Sequence, residues 1–318
     1  MAKIKTRKVA LIGAGAVGTS FLYSAMNRGI ADEYGIIDIN VDGSTGNKLD
    51  LEDAVATNTF PWSTTVMEYK DLKDVDVLVI TAGRPQLPGE TRLDMVEGNA
   101  KIMKMIATSV KESGFDGITI IASNPVDVLT TVYQEVTGFT ANKVIGSGTS
   151  LDSARLRWAL SEVIGIAPQS ISAYVLGEHG DSSVSAYSSA SVAGKPLTTF
   201  LEANKVTKEQ LATMHKDVWS KAYKIIEKKR ATFYGIGSAL ANLTQAVIRN
   251  TNEVYACGAK LEGHYGLEGF YTGTAAIINK DGIKEIIEID MNKAERKQFD
   301  ISAKTLGVAL EKARRAIA

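Results

Sequence analysis

The chain has 318 residues, of which 45% are hydrophobic, and its 36 basic residues balance its 36 acidic ones. A chain of this length and composition can bury a core large enough for two domains. The zero net charge argues against nucleic acid or a membrane surface as a partner. Cys257 is the single cysteine, so no intrachain disulfide can form. We therefore expect a cytoplasmic protein in which this thiol serves packing alone.

The first half of the chain alternates short apolar runs with helical patterns. Helical periodicity covers residues 17–28 and 93–113. Buried runs separated by helices are typical of βαβ units, whose crossovers are right-handed. The pattern therefore predicts an α/β fold with a doubly wound parallel sheet. Its predicted strands are residues 9–12, 34–38, 75–80, 118–122 and 144–145.

The second half of the chain has a different pattern, which predicts a mixed α/β domain. Its helical patterns cover residues 150–163, 208–228 (continuing past Gly235) and 292–315. Its strand-like segments are residues 171–176 and 183–192, followed by turn-rich β-prone runs before the last helix. Because the parallel-sheet pattern stops near Gly146, we predict one domain over residues 1–146 and a second over residues 147–318.

A glycine-rich turn follows the first predicted strand and opens the first predicted helix. Its first glycine allows a tight turn, its second lets the main chain approach a pyrophosphate, and its third lets helix and strand pack closely. The helix N-terminus presents free N–H groups and a partial positive charge to phosphates. The pattern G-x-G-x-x-G therefore predicts a dinucleotide site at Gly13, Ala14, Gly15, Ala16, Val17 and Gly18.

Asp38 lies twenty residues after Gly18, at the end of the second predicted strand. A carboxylate there can accept hydrogen bonds from both hydroxyls of the adenosine ribose, and it would repel a 2′-phosphate. Ile39 and Asn40 supply no arginine to offset that repulsion. The cofactor is therefore predicted to be NAD rather than NADP.

Two further segments stand at the carboxyl ends of predicted parallel strands, where ligands bind in such sheets. Thr81, Ala82 and Gly83 follow the third strand, and Ser123 and Asn124 follow the fourth. We predict that both segments line the cofactor crevice. Asn124 precedes a proline, so a simple turn residue is the alternative interpretation.

Three histidines offer an imidazole for proton transfer. His215 lies in a charged helical stretch and His264 in a glycine-rich turn, and we interpret both as surface residues without partners. His179 lies in a polar turn, residues 177–182, that follows an apolar segment. Because imidazole titrates near neutral pH, His179 is the candidate general acid and base. An ordinary turn residue is the alternative, against which Asp152 and Arg155 argue.

Asp152 and Arg155 are three residues apart in a helical pattern and so share one face of the helix. A buried carboxylate can raise the pKa of a nearby imidazole and fix its tautomer. A guanidinium can hold a substrate carboxylate with two hydrogen bonds. The spacing alone fits equally well an ordinary ion pair on a solvated helix face.

Residues 83–92 contain two prolines, two glycines and two arginines between a strand and a long helix. That composition is typical of a mobile lid over a cofactor crevice. A lid arginine can polarise a substrate carbonyl after closure. An ordinary surface loop is the alternative.

Five segments, taken in order, resemble the L-lactate and malate dehydrogenases over essentially the whole chain. They are the glycine-rich turn and residues 88–92, 123–127, 151–155 and 177–181. The resemblance implies a Rossmann domain followed by a C-terminal mixed α/β substrate domain. It also implies NAD as the cofactor, hydride transfer to a small 2-oxo acid, and assembly as a homotetramer.

The resemblance also implies the roles of individual residues. His179 would donate and accept the proton, held in place by Asp152. Arg155 would bind the substrate carboxylate, and Arg92 on the lid would polarise the carbonyl. Asn124 would hydrogen-bond near the reacting oxygen and the nicotinamide.

Thr232 and Gln86 would define the pocket for the substrate side chain. Malate dehydrogenases place an arginine at the position of Gln86, where it pairs with a second carboxylate. A neutral amide beside a methyl group suits pyruvate instead. We therefore expect pyruvate and L-lactate as substrates, in fermentative glycolysis.

Three other functions stay open. Asp53 favours a dehydrogenase for branched 2-hydroxy acids such as 2-hydroxyisocaproate, because lactate dehydrogenases commonly have histidine there; the lid, however, shows no insertion that would enlarge the pocket. An NAD-dependent glycosidase would need a metal held by Cys and His, whereas Cys257 and His179 lie in no ligand-like motif, and we expect no metal. A non-catalytic NAD sensor would not need the whole catalytic set.

Many bacterial lactate dehydrogenases that this chain resembles bind fructose 1,6-bisphosphate between subunits, through an arginine and a histidine. The arginine matches Arg157, and the histidine position holds Ser172. Serine carries no charge, so a site on a two-fold axis loses two cations at once. Because charge-assisted hydrogen bonds are the stronger ones, we expect activation by this effector to be weak or absent. Arg157 as a plain helix-surface residue is the alternative.

Overall fold

A computed structural model of the chain describes residues 6–84 and 92–318, apart from the side chains of residues 92–94. The helices are α1 Ala16–Asn27, α2 Val41–Asp53, α3 Arg92–Glu112, α4 Val126–Thr137, α5 Ser150–Ile164, α6 Leu197–Ala203, α7 Lys208–Lys229, α8 Tyr234–Arg249 and α9 Lys293–Ile317. The strands are β1 Lys8–Ile12, β2 Glu33–Ile37, β3 Ser63–Val66, β4 Val77–Ile80, β5 Ile118–Ile121, β6 Val144–Gly146, β7 Ile171–Ser172, β8 Val175–Leu176, β9 Val184–Ser185, β10 Ser191–Val192, β11 Lys195–Pro196, β12 Glu253–Glu262, β13 Glu268–Asn279 and β14 Gly282–Ile287.

The central sheet begins with six parallel strands in the order β3-β2-β1-β4-β5-β6. The chain builds outward from β1 in one direction, then returns to the other side of β1 through β4. This order is that of a doubly wound Rossmann sheet, whose strand order reverses between β1 and β4. The predicted fold class is therefore confirmed. Sequence reasoning missed β3, a short edge strand that is rich in serine and threonine.

The C-terminal half forms two small sheets, β11-β10-β7 and β8-β9, and its longest strands extend the central sheet. Strands β12, β13 and β14 continue the same sheet as antiparallel neighbours, joined to β6 at Gly258 and Gly146. Cys257 and Ala259 of β12 pack in the same hydrophobic core as Leu11 of β1. The sheet and its hydrophobic core therefore continue past Gly146, where the parallel strands end.

Two core layers cover the faces of the sheet. Successive residues of a strand point to opposite faces, and β4 divides in this way between the layers. Val77 and Val79 pack with side chains of α1 and α8, whereas Leu78 and Ile80 pack with side chains of α3, α4 and α9. Cys257 is fully buried, and burial raises the pKa of its thiol to about 12. The cysteine is thus a packing residue, as expected.

Two predictions for the second half were wrong in detail. The segments predicted as two strands are four short ones, β7 to β10, separated by turns. The helix predicted to run past Gly235 ends at Lys229, because Arg230 adopts a left-handed conformation with φ of 70°. Helix α8 then starts again at Tyr234.

Candidate active site

The candidate cofactor crevice lies at the carboxyl ends of β1 and β4, the two strands between which the strand order reverses. Loops that follow these strands leave on opposite faces of the sheet, so a crevice opens between them. The predicted glycine-rich turn follows β1, and residues 81–84 follow β4. The two segments meet through Thr81, whose hydroxyl donates to the Gly13 carbonyl at 2.6 Å.

The glycines of this turn are required by its geometry. Gly13 has a φ of 100°, and a Cβ there would stand 2.4 Å from the Ala82 nitrogen. A Cβ on Gly18 would stand 2.2 Å from the Gly13 carbonyl oxygen. At Gly15, by contrast, a Cβ would meet nothing within 4 Å. The first and third glycines therefore close the turn, while the second faces open space.

The open space at Gly15 fits the diphosphate of a dinucleotide. Gly15 is the N-cap of α1 and offers no side chain to the first N–H groups of that helix. Those groups and the helix dipole favour an anion. Asp38 lies directly after β2 and accepts hydrogen bonds from the main-chain N–H of Ala14 at 2.6 Å and of Asn40 at 2.8 Å. Its carboxylate is thereby fixed beside the turn, where a ribose of the same ligand would lie.

The far side of the crevice is formed by residues 81–84 and 123–124. The Ser123 hydroxyl donates to the Ala82 carbonyl at 2.5 Å. Asn99 of α3 is buried; its amide donates to the Asn124 carbonyl at 2.8 Å, and its side-chain oxygen accepts from the Arg84 N–H at 3.0 Å. Asn124 itself has an exposed side chain. The side chain of Asn124 is therefore accessible, while its main-chain carbonyl is held by Asn99.

His179, Asp152 and Arg155 form one hydrogen-bonded group. The Nδ1 atom of His179 lies 2.5 Å from Oδ2 of Asp152, and Nη1 of Arg155 donates to Oδ1 of the same carboxylate at 3.2 Å. The side chains of Asp152 and Arg155 are 5% and 9% exposed, and that of His179 is 28% exposed. The buried geometry decides against an ordinary ion pair on a solvated helix face.

The charges of this group favour a protonated imidazole. The negative charge of Asp152 and its hydrogen bond outweigh burial and raise the pKa of His179 to about 9. Burial opposes ionisation of Asp152, but the charges and hydrogen bonds of His179 and Arg155 outweigh it and hold the pKa of that carboxyl below its usual range. Because Nδ1 faces Asp152, the other ring nitrogen, Nε2, is the one available to a substrate.

The turn that carries His179 is held at three consecutive residues. Gly177 exchanges two main-chain hydrogen bonds of 2.9 Å with Gly273 of β13, and its φ of 87° brings it against Ser302 of α9. The Glu178 N–H donates to the Ser302 hydroxyl at 2.7 Å. The His179 N–H donates to Asp127 of α4 at 2.8 Å. The imidazole is therefore presented by a main chain tied to one strand and two helices.

Other predicted site residues are placed less directly. Thr232 is half-buried in the connection between α7 and α8. Gly235, at the start of α8, packs closely against Leu151, since a Cβ on this glycine would lie 2.9 Å from the Leu151 side chain. The connection therefore ends beside the start of α5, next to Asp152. Arg92 is the first residue of α3, but its side chain is outside the described part. Gln86 and most of the predicted lid, residues 85–91, lie outside the described residues.

The two remaining histidines were wrongly interpreted as surface residues without partners. His215 is half-buried, and its Nδ1 pairs with the Ser185 hydroxyl at 2.8 Å. Burial lowers the pKa of His215. His264 is half-buried too, and its Nδ1 accepts from the Glu262 N–H at 3.3 Å. The partner of His215 lies in a distant segment that sequence spacing does not reveal, whereas that of His264 is the main chain two residues away.

Sequence reasoning assigned no role to Asn99, Asp127 or Ser302, all of which are buried beside the site. Asp127 had a usable signal, because it is a carboxylate among the apolar residues Val126, Val128 and Leu129 at the start of a helix. Asn99 and Ser302 lie in helices with many polar residues and gave no such signal.

The described residues contain no group of three or more histidine, cysteine, aspartate or glutamate side chains placed to hold a metal ion. Within the same part of the chain, no helix combines the length and apolar character needed to cross a membrane.

Comparison with known families agrees with this geometry. Residues 7–146 match the family model described as the lactate/malate dehydrogenase NAD binding domain, and residues 149–316 match the alpha/beta C-terminal domain of the same family. The chain belongs to the lactate/malate dehydrogenase family. It therefore carries that family's NAD-binding domain, as predicted from the glycine-rich turn and Asp38.

Relatives of similar length come from mycoplasmas. An L-lactate dehydrogenase of Mycoplasma capricolum is 54% identical over 307 residues, which is 96% of both chains. Another, of Mycoplasma mobile, is 50% identical over 313 residues, or 98% of both chains.

Solved structures of two dehydrogenases have the same fold. The minor L-lactate dehydrogenase of Enterococcus mundtii aligns with a TM-score of 0.94 at 38% identity, covering 96% of this chain and 98% of that one. A lactate dehydrogenase from a Medee basin deep-sea metagenome library aligns with a TM-score of 0.95 at 38% identity, covering 98% and 100%.

The site of this family member is suited to moving a proton and a hydride together. NAD supplies or accepts the hydride when it is bound in the crevice. A protonated His179 can give its Nε2 proton to an oxygen in front of it. Arg155 makes no other side-chain hydrogen bond among the described residues, so its remaining donors can bind a carboxylate. The pair is arranged so that it can accommodate a substrate with a carboxylate beside the reacting oxygen.

Proposed function

We propose that this chain is an L-lactate dehydrogenase, which transfers a hydride from NADH to pyruvate and gives L-lactate and NAD⁺ reversibly. The observation that carries the proposal is the buried carboxylate of Asp152, which holds a proton donor and a carboxylate-binding cation at one place. Its L-lactate dehydrogenase relatives, which align over nearly their full lengths, support the choice of substrate.

In this proposal His179 donates the proton to the carbonyl oxygen, and Asp152 orients its ring. Arg155 binds the substrate carboxylate. On the predicted lid, Arg92 polarises the carbonyl. Gln86, on the same lid, faces the methyl group. Asn124 hydrogen-bonds near the reacting oxygen and the nicotinamide, and Thr232 lines the pocket for the substrate side chain. The cofactor is held by Gly13, Gly15, Ala16, Val17, Gly18, Asp38, Thr81, Ala82, Gly83 and Ser123.

The direct test is oxidation of NADH with three acceptors side by side: pyruvate, oxaloacetate and 2-ketoisocaproate. We expect the highest kcat/KM with pyruvate. A preference for oxaloacetate would make the chain a malate dehydrogenase, and a preference for 2-ketoisocaproate would support the branched hydroxyacid alternative. Activity with none of the three would overturn the proposal.

The pH dependence should follow His179. Pyruvate reduction consumes a proton from the imidazolium, so kcat/KM for pyruvate should be constant below pH 8 and fall as the pH rises through about 9. Lactate oxidation needs the neutral imidazole and should rise over the same interval. Steady-state rates in both directions from pH 6 to 10 would check this. A reduction rate that rises with pH would contradict the assignment.

We also propose that the chain acts in the cytoplasm, in fermentative glycolysis, as a homo-oligomer and specifically a homotetramer. Large apolar side chains on the outside support self-association. Tyr234 is 73% exposed, Val41 58% and Trp158 52%. Exposed apolar side chains of this size can become buried in an assembly where they lie on one contiguous surface.

Fructose 1,6-bisphosphate should activate the enzyme weakly or not at all. Arg157 is half-buried and lines a cavity of about 130 Å³ with Tyr174 and Tyr255. Ser172 is exposed on β7 and contributes no charge. Pyruvate saturation with and without millimolar effector is the measurement, and we expect superimposable curves.

The matched variant Ser172→His restores the histidine that activated relatives carry. It should gain a response to the effector, most clearly at mildly acidic pH, where the new imidazole is protonated. A severalfold drop in half-saturation for the unmodified enzyme would contradict the prediction. It would also show that Arg157 and main-chain donors hold the phosphates unaided.

A further inference from the structure

Asp127 is a buried carboxyl group for which the proposed reaction has no role. It lies in the first turn of α4 and is 2% exposed. Its Oδ2 accepts the main-chain N–H of His179 at 2.8 Å. Its Oδ1 is buried and has no hydrogen-bond partner among the described residues. Burying a carboxyl with one hydrogen bond costs free energy of folding. We therefore look for a function of that one hydrogen bond.

A role in stabilising α4 does not explain the residue. A carboxylate in the first turn suits the helix dipole. However, the N-cap of α4 is Pro125, and the helix start has no side-chain cap hydrogen bond. The hydrogen bond of Asp127 instead leaves the helix and crosses to the turn that carries His179. The carboxyl therefore acts on that turn rather than on its own helix.

The charges around Asp127 couple it to the imidazole. Burial raises the pKa of Asp127 to about 7, against the opposing effect of the His179 N–H and ring, while Glu178 and Asp152 raise it further. In return, ionised Asp127 raises the pKa of His179, adding to Asp152 and opposing Arg155. The negative charge of Asp127 and the positive charge of the His179 ring thus favour each other.

We propose that Asp127 is a positioning residue for proton transfer: its carboxyl fixes the main chain at His179, and its charge helps Asp152 to keep the imidazole protonated. This inference rests on the proposed function for its catalytic consequence, but its effect on the imidazole does not depend on the substrate. Two substitutions distinguish the hydrogen-bonding role of Asp127 from the role of its charge. Asp127→Asn keeps an acceptor oxygen and removes the charge, whereas Asp127→Ala removes both the acceptor and the charge.

Ser302 provides a matched comparison. Its hydroxyl accepts the neighbouring N–H, that of Glu178, at 2.7 Å, and it is as buried as Asp127. It carries no charge. Ser302→Ala therefore removes one anchor of the same turn without changing its electrostatics.

The experiment follows the imidazole directly by NMR, in the full-length enzyme with labelled histidine. Only three histidines are present, so His179→Asn identifies the resonance of His179. We expect it to titrate near pH 9 in the parent and about one unit lower in Asp127→Asn. Ser302→Ala should leave this titration in place. Pyruvate-reduction profiles should shift in parallel, with kcat of Asp127→Ala about 10-fold to 100-fold below the parent.

An unchanged His179 titration in Asp127→Asn would overturn the charge contribution, and a parental kcat in a folded Asp127→Ala would overturn the positioning role. If Asp127→Ala fails to fold, Asp127→Asn still decides through its titration and pH profile, which a purely structural role would not move. NADH binding and thermal unfolding report folding for each variant. If the parent does not reduce pyruvate, the proposed function fails, while the NMR titration still tests the coupling of Asp127 to His179.

Discussion

Replacing His179 by asparagine should lower kcat for pyruvate reduction by ~10²–10⁴-fold, the usual contribution of a general acid. Asparagine keeps a polar group near Asp152 but cannot deliver a proton. NADH should still bind, because the glycine-rich turn and Asp38 follow other strands of the sheet. Steady-state kcat and a fluorescence titration with NADH measure the two effects separately.

His264→Asn is the matched control for this prediction. It makes the same change at a half-buried histidine whose ring, within residues 6–84 and 92–318, accepts one hydrogen bond, from the Glu262 N–H two residues away. Its kcat should stay within about twofold of the parent, as for most substitutions away from the site. A His179→Asn enzyme that retains more than about a tenth of the parental kcat would remove His179 from the proton-transfer step.

Replacing Gln86 by arginine should move the substrate preference from pyruvate towards oxaloacetate. The new cation can pair with the second carboxylate of oxaloacetate. With pyruvate bound, the same cation would be desolvated and unpaired, at a cost of about 3–5 kcal/mol. The ratio of kcat/KM for oxaloacetate to that for pyruvate should therefore rise ~10²-fold or more.

The control for charge is Gln86→Met, which has a similar length and no charge. It should keep the preference for pyruvate, because a thioether leaves no unpaired cation beside the methyl group. If Gln86→Arg left the ratio of the two kcat/KM values unchanged, residue 86 would not face the substrate, and the choice between pyruvate and oxaloacetate would have to be made elsewhere.

The sequence by itself determined the parts of this protein that depend on local patterning. The alternation of buried runs and helices predicted the parallel sheet. The order strand, glycines, helix, strand and Asp38 predicted the cofactor turn, in which the structure shows that the first and third glycines are required by close contacts. His179 was singled out as a histidine in a polar turn, and Asp152 and Arg155 by their spacing on one helix face. Their individual roles were predicted from the resemblance to the lactate and malate dehydrogenases.

Only the tertiary structure decided what depends on contacts between distant segments. The spacing of Asp152 and Arg155 fitted a solvated ion pair and a buried site equally well. Their burial, and the 2.5 Å contact of Asp152 with His179, show that the site is buried. Contacts between distant segments also decided that β12 to β14 extend the sheet and that His215 pairs with Ser185. Asp127 is the clearest case, because its partner is 52 residues away. Hydrogen bonding and desolvation act through space, so a pattern along the chain predicts them only where the two partners share one helix or turn.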